Sequence, residues 1–182
     1  MASSSGLTGS TDAVRVLAHA LDQAGDVLDH VHAGILERPT PCSDWDVAAL
    51  AGHLVQAPAN FLAMMRGEQP DFSAVAEIDE GWGGVFRVHA DDLIHAWHEL
   101  SEEPPVPAEW QVAELAVHAW DLAVALDFPL DRLDPEVAQL GHGFMQASLT
   151  PDRRGDVFAP EVEAPADGGV YGALAAFAGR QL

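Results

Sequence analysis

Apolar residues recur along the first part of the chain at the spacing of an α-helix. Thr11 and Asp12 precede this pattern and can cap a helix, whereas Pro39 and Pro41 follow it and cannot continue one. The sequence therefore predicts a first helix that ends near Arg38, with a flexible Ser/Gly-rich tail over residues 1–10. The apolar stripe consists of Val14, Leu17, Leu21, Leu28, Val31 and Ile35.

A second stretch of helical periodicity begins at Ser43 and ends before Gly67. Asp46 forms a capping-box-like pair with Ser43, and Asp44 adds a favourable charge to the first turn. Pro58 lies inside the pattern, so a kink or break is expected there.

The remaining pattern predicts further helices separated by breaks rich in proline and glycine. A long connection between Gly67 and Gly84 is of the kind that often covers a site. The predicted helices cover Val85 to Leu100, Glu109 to Leu126, Pro135 to Leu149 after an Asp134 cap, and Val170 to Ala178. The sum is an all-α protein, a four-helix bundle with extra short helices and an extended C-terminal segment, with residues 11–182 as a single domain.

Composition narrows the function classes. The 182 residues include 48% hydrophobic residues, enough for a substantial core, and carry a net charge of −21. All 8 basic residues are arginines, against 29 acidic residues. A surface this acidic repels phosphate backbones and anionic lipids, so neither a nucleic acid nor a membrane is expected as a partner.

The termini and the cysteine content point to the cytoplasm. Residues 1–10 have neither the basic nor the apolar region of a signal peptide. No apolar run is expected to approach the roughly 18–20 residues that a membrane span requires. Cys42 is the single cysteine, which excludes an internal disulfide.

The residues with the clearest chemical potential are Glu114 and His118. At this spacing they share one helix face, and both are acceptable zinc ligands. Such pairs are also common on exposed helix faces, but His118 lies between Val117 and Trp120 in an apolar helix. His53 occupies a similar place in the second helix. Three ligands from facing helices would leave an open metal position.

Two interpretations are open for several residues near these three. Asp121 follows His118 by three residues and either orients its imidazole or is a surface aspartate. Trp45 and Trp120 are expected to pack in the core rather than line a substrate pocket. Cys42 is either a reactive thiol at a helix N-terminus or a small buried hydrophobe.

The other histidines are less informative. His142, between two glycines, either lines the pocket or is solvated. His95 and His98 are three residues apart, which allows a metal pair, but His89, His95 and His98 are expected to be exposed.

Three blocks of sequence resemble a known family. The segment from Pro39 to Val47, continuing to His53, resembles a motif of DinB-like proteins, with the N-terminal domain of mycothiol-dependent maleylpyruvate isomerases as the closest subgroup. The segment from Glu114 to Ala123 resembles the fourth helix of the same group. The stretch from Phe158 to Arg180 resembles the end of its short members.

The resemblance implies a four-helix bundle with a divalent ion near one end, held by His53, Glu114 and His118. Zinc is the first choice of ion, with nickel and iron(II) as alternatives. It also implies mycothiol as a cosubstrate and a homodimer. The isomerases have a second, C-terminal domain for which 182 residues leave no room, so maleylpyruvate isomerisation is not predicted.

The expected function is therefore a metal-dependent transferase or isomerase that uses mycothiol or another small thiol on a small electrophilic substrate. Two alternatives stay open at this point. One is a non-catalytic metal- or ligand-binding accessory protein, and the other is a degenerate bundle that keeps the fold and binds no metal.

Overall fold

A computed structural model describes residues 5–43, 45–71, 76, 78–101, 104–154 and 158–181 of the chain, with side chains described from residue 11 onward. The described residues form six α-helices and no strands, which confirms the all-α prediction. The helices are α1 Ser5–Leu28, α2 Val47–Met65, α3 Trp82–Glu99, α4 Ala108–Ala125, α5 Pro135–Ser148 and α6 Gly169–Phe177. Short 3-10 turns occur at Ala33–Ile35, Leu130–Arg132 and Pro151–Arg153.

Helices α1 to α4 form the bundle. Helix α1 packs against α3 and α4, and α2 packs against the same two helices, so the order around the bundle is α1, α3, α2, α4. Helix α5 packs on α4 and α1, and α6 packs on α5 and α4. The four predicted main helices and the additions are therefore present, and α4 contacts helices on several sides.

Helix α4 lies at the centre because its sequence is apolar nearly all round. Every residue from Gln111 to Ala123 is buried except Glu114, whose side chain is 20% exposed. Polar side chains on this helix therefore face protein rather than water. Any charge placed there must find a partner within the structure.

The first helix differs from the prediction at both ends. It begins at Ser5, within the segment predicted as a tail, and it ends at Leu28 rather than near Arg38. Val31 and Ile35 are buried as predicted, but they reach the core from a turn and from the 3-10 turn that follows. Apolar spacing alone does not distinguish a continuing helix from a turn that buries the same positions.

The second helix begins later than predicted. Asp46, rather than Ser43, is the N-cap, and its carboxylate accepts a hydrogen bond of 2.9 Å from the backbone N–H of Ala49. The charge effect predicted for Asp44 lies outside the described residues. The helix is continuous through the buried Pro58, so the predicted break does not occur.

Helix α2 is also long and apolar enough to cross a membrane by length and composition alone, with a mean hydropathy of 1.3. From the sequence, no apolar run long enough to span a membrane was expected. Half of the helix is buried within the structure, and a core helix passes the same test. Its hydropathy therefore has an explanation in the bundle.

Replacing either of two glycines on α5 with alanine should affect stability differently. A Cβ at Gly141 would lie 3.1 Å from Cα of Ala113 on α4, whereas Gly143 is exposed with open space around it. We expect Gly143→Ala to stabilise the protein by up to about 1 kcal/mol through helix propensity. Gly141→Ala should lose that gain, because α5 must move away from α4. Urea denaturation of both variants measures the difference, and equal stabilisation by both would contradict it.

Candidate metal centre

Three side chains from two helices meet inside the bundle. Nε2 of His53 on α2 lies 2.8 Å from Oε1 of Glu114 on α4, and Nε2 of His118 lies 3.4 Å from the same oxygen. One nitrogen or oxygen atom of each residue lies within 4.8 Å of the other two. The structure thus brings together the three residues that the sequence predicted as metal ligands.

The donor set suits a divalent ion. Zinc bonds of roughly 2.0–2.1 Å in a tetrahedral site place the ligand atoms about 3.4 Å apart. The two nitrogen–oxygen separations in the cluster are 2.8 Å and 3.4 Å, so small side-chain adjustments would open space for an ion. Both imidazoles turn Nε2 towards the carboxylate, so the three donor atoms converge on one point.

The same three groups perturb each other's ionisation. Burial opposes ionisation of Glu114, but the positive charge of His118 and the hydrogen bonds from both histidines outweigh it and lower the pKa of the carboxyl group. Burial also disfavours the charged form of His118. The carboxylates of Glu114 and Asp121 prevail and raise the pKa of His118 to about 9. Without a metal, His118 therefore carries a proton at neutral pH.

Asp121 orients His118 from the opposite side. Its side chain is fully buried, and its Oδ2 lies 3.2 Å from Nδ1 of His118. This contact rules out the surface reading of Asp121. Histidines that bind metals commonly donate their second N–H to a carboxylate, which fixes the tautomer and the ring orientation. With Nδ1 engaged, Nε2 of His118 is the nitrogen directed to Glu114.

Arg180 neutralises Asp121, a role that the sequence reading missed. Its Nε and Nη2 donate hydrogen bonds of 2.9 Å and 2.8 Å to the two carboxylate oxygens. Burial opposes ionisation of Asp121, but the hydrogen bond from His118 and the bidentate pair with Arg180 outweigh it and lower the pKa of the carboxyl group. The buried aspartate therefore stays ionised.

The end of α6 directs Arg180 inward. Gly179 has φ +78°, a left-handed conformation that favours glycine, and its N–H donates to the carbonyl of Ala176. The N–H of Arg180 then donates to the carbonyl of Ala175. The Gly-Arg pair after an apolar helix signals such a C-cap in the sequence, but nothing local identifies Asp121 as its partner.

The segment before α2 covers the imidazoles. The hydroxyl of Thr40 donates a hydrogen bond of 2.7 Å to the carbonyl oxygen of Trp45, and Pro39 forms an isolated antiparallel β-bridge with Asp46. The loop held in this way places the Trp45 ring 4.5 Å from the ring of His53 and 5.4 Å from that of His118. Trp45 is half-buried against the core and also covers the cluster, and Trp120 is buried in the core. Neither lines the cavity described below, as predicted.

A cavity of about 140 Å³ adjoins the cluster. Glu114 and His118 form part of its wall, and Ser148 is the other polar residue there. The sequence analysis assigned none of the apolar lining residues to a pocket. These residues come from α4, α5 and the C-terminal segment. They are Trp110, Ala113, Val117, Phe144, Met145, Leu149 and Phe158. No described residue of the connection between Gly67 and Gly84 lines it.

The remaining predicted residues lie outside the cluster. Half-buried Cys42 has its sulfur within 4.8 Å of His118 and Asp121 donor atoms. His142 packs 5.4 Å from the Phe177 ring and does not line the cavity. His95 pairs with Glu99 on the surface, and His98 is exposed as expected.

His89 was expected to be exposed, and this prediction is wrong. Its side chain is partly buried, and its Nδ1 lies 2.9 Å from the carbonyl oxygen of Val55 on α2. This contact joins α3 to α2, so His89 has a packing role.

The fold and the cluster define a class: helical bundles that carry inward-facing histidine and carboxylate side chains on facing helices. Residues 17–103 match the family described as the mycothiol maleylpyruvate isomerase N-terminal domain. This match includes His53 but ends before Glu114 and His118. The chain belongs to this family.

Two relatives match nearly the whole chain. They are the uncharacterized proteins Rv0738 and MT0763 of Mycobacterium tuberculosis, strains H37Rv and CDC 1551, each 30% identical over 92% of this chain and 98% of its own length. The similarity therefore extends beyond the matched domain into α4 and the C-terminal segment. No solved structure matches the chain.

Replacing the carboxylate behind His118 tests its positioning role. We expect Asp121→Asn to weaken zinc binding about 10- to 100-fold, because contacts behind a ligand contribute this much to affinity. A competition titration with a chromogenic chelator measures the change, with circular dichroism as a check on folding. Glu136→Gln is the matched control, since it removes an exposed carboxylate that pairs with Arg15. Unchanged affinity in a folded Asp121→Asn variant would contradict the role.

Metal binding should release a proton from His118. A metal binds only the neutral imidazole nitrogen, whereas the metal-free protein holds His118 protonated up to pH about 9. The apparent zinc affinity should therefore rise by about tenfold per pH unit from pH 7.5 to about 9 and level off above it. Calorimetry in two buffers of different ionisation enthalpy counts the protons released. Affinity that is flat across this interval would show that no proton is displaced.

Proposed function

We propose that this protein is a metal-dependent transferase or isomerase that uses mycothiol or another low-molecular-weight thiol on a small electrophilic substrate. The observation that carries the proposal is that Glu114 and His118 line the cavity as well as the cluster. An ion held by His53, Glu114 and His118 would therefore face a space in which a substrate fits. Family membership supports the thiol, since the family description names mycothiol.

The charges of the cluster favour a thiol partner. A divalent ion with two neutral imidazoles and the carboxylate of Glu114 carries one net positive charge. One thiolate would neutralise it, and a neutral assembly suits a site with apolar walls. When bound, the ion supplies a lowered pKa for the thiol and a place to hold the thiolate.

The chain's own residues would provide position and exclude water. Asp121 and Arg180 hold His118 in its ring orientation, and Trp45 covers the two imidazoles. The apolar wall of the cavity would hold the electrophile beside the thiol sulfur. For addition to a carbon–carbon double bond, the S–C bond forms, the π bond opens, and the proton of the thiol ends on the neighbouring carbon. This balance needs no oxidant or reductant.

Zinc is the proposed ion, with nickel and iron(II) as alternatives that accept the same ligands. The adjoining cavity favours turnover over a purely structural or accessory metal site. A closed structural zinc site has four protein ligands. Among the described residues, the cluster that contains His53 has three.

Thiol consumption tests the proposal. Zinc-loaded protein should accelerate the reaction of mycothiol with a neutral α,β-unsaturated ester well above the uncatalysed rate. His118→Ala should abolish the acceleration, because the ligand nitrogen is lost. In the cobalt-substituted protein, addition of the thiol should produce a sulfur-to-metal absorption band.

His95→Ala is the control, since His95 is an exposed histidine on α3 and should leave the rate unchanged. Two results would overturn the proposal. One is an undiminished rate in His118→Ala, and the other is a cobalt spectrum that does not respond to thiol.

A further inference from the structure

The cavity beside the cluster has a chemical character of its own. Seven of its ten lining residues are apolar, and the three polar ones are Glu114, His118 and Ser148. Of these, Glu114 and His118 are committed to each other and to the proposed ion. Ser148 at the end of α5 and the indole N–H of Trp110 are then the remaining polar side-chain groups of the lining residues.

Apart from His118, which would be neutral when it binds the proposed ion, no basic side chain lines this space among the described residues, and the sequence has no lysine. Three arginines follow Ser148 in the sequence, and Arg153 is exposed and does not line the cavity. The other two are engaged in contacts of their own. Arg154 donates hydrogen bonds to the carbonyls of Ala159 and Phe177 and lies over the Phe177 ring. Arg180 is buried and paired with Asp121.

A carboxylate on the ligand would therefore lose water without gaining a partner. Burying an unpaired charge in an apolar site is strongly unfavourable. The net charge of −21 adds long-range repulsion of anions. An uncharged, apolar group meets neither penalty, and an apolar cavity of about 150 Å³ is known to accommodate benzene. The space of about 140 Å³ is of the same size.

From this geometry we infer that the cavity selects neutral electrophiles whose body is apolar, and rejects dicarboxylates. The inference rests on the proposed function, because it assumes that the ligand is the electrophile of that reaction. It names the substrate class of that site. Maleylpyruvate, which the family description names, is a dicarboxylate. This chain therefore differs in specificity from an enzyme built for that substrate.

The test measures binding, so that it does not depend on turnover. Zinc-loaded protein saturated with mycothiol is titrated with two unreactive ligands of the same carbon skeleton, dimethyl succinate and succinate. We expect the neutral diester to bind at least about 100-fold more tightly than the dianion. Titration without the thiol reports separately on any carboxylate that binds at the ion.

A charge introduced into the cavity should reverse the preference. In Ser148→Arg, the guanidinium enters the wall, and succinate should bind at least about 10-fold more tightly than in the wild type while the diester binds more weakly. Ala147→Arg is the matched control, because Ala147 is its exposed neighbour on α5 and does not line the cavity. It should leave both affinities unchanged.

The outcomes separate this inference from the proposed function. Preference for the diester in a protein that never consumes thiol supports the inference and contradicts the proposed chemistry. Equal or tighter binding of succinate in the thiol-saturated wild type overturns the inference whatever the turnover. An equal gain in succinate binding in Ala147→Arg would also overturn it, because the gain would then reflect overall charge.

Discussion

Two carboxylates on one apolar helix, Asp121 fully buried and Glu114 mostly buried, determine the arrangement of the rest of this site. Glu114 and Asp121 lie on α4, where nearly every neighbouring residue is buried. Taking an ion out of water costs several kcal/mol even in a relaxed protein, so each carboxylate requires a positive partner. The bundle supplies those partners from different parts of the chain.

The partners tie distant segments to α4. Glu114 pairs with His53 on α2, and Asp121 pairs with Arg180 in the segment after α6. His118 lies between the two carboxylates and contacts both. The C-terminal segment is therefore joined to the cluster by charge as well as by packing. In the metal-free protein, the proton on His118 balances part of the negative charge, and a divalent ion would take over that function.

The features that could be predicted from the sequence depend on contacts between residues close together in the chain. The i,i+4 spacing of Glu114 and His118, the apolar context of His53 and, above all, the resemblance to the family identified three side chains that the fold brings together. The helix positions followed from apolar periodicity, except at both ends of α1, where Val31 and Ile35 extended the pattern through a turn, and at the start of α2. The contact of Arg180 with Asp121 joins residues that are 59 positions apart, and no local pattern encodes it. The cavity wall likewise combines three segments through packing.

In the proposed metal centre, His53, Glu114 and His118 hold one divalent ion. This arrangement is tested by measuring the metal content of untagged protein by mass spectrometry, beside the His53→Ala and His118→Ala variants. We expect about one equivalent of metal in the wild type and its loss in both variants, with His95→Ala unchanged. Full occupancy in His118→Ala, or no metal in the wild type after reconstitution with zinc, nickel and iron(II), would contradict it.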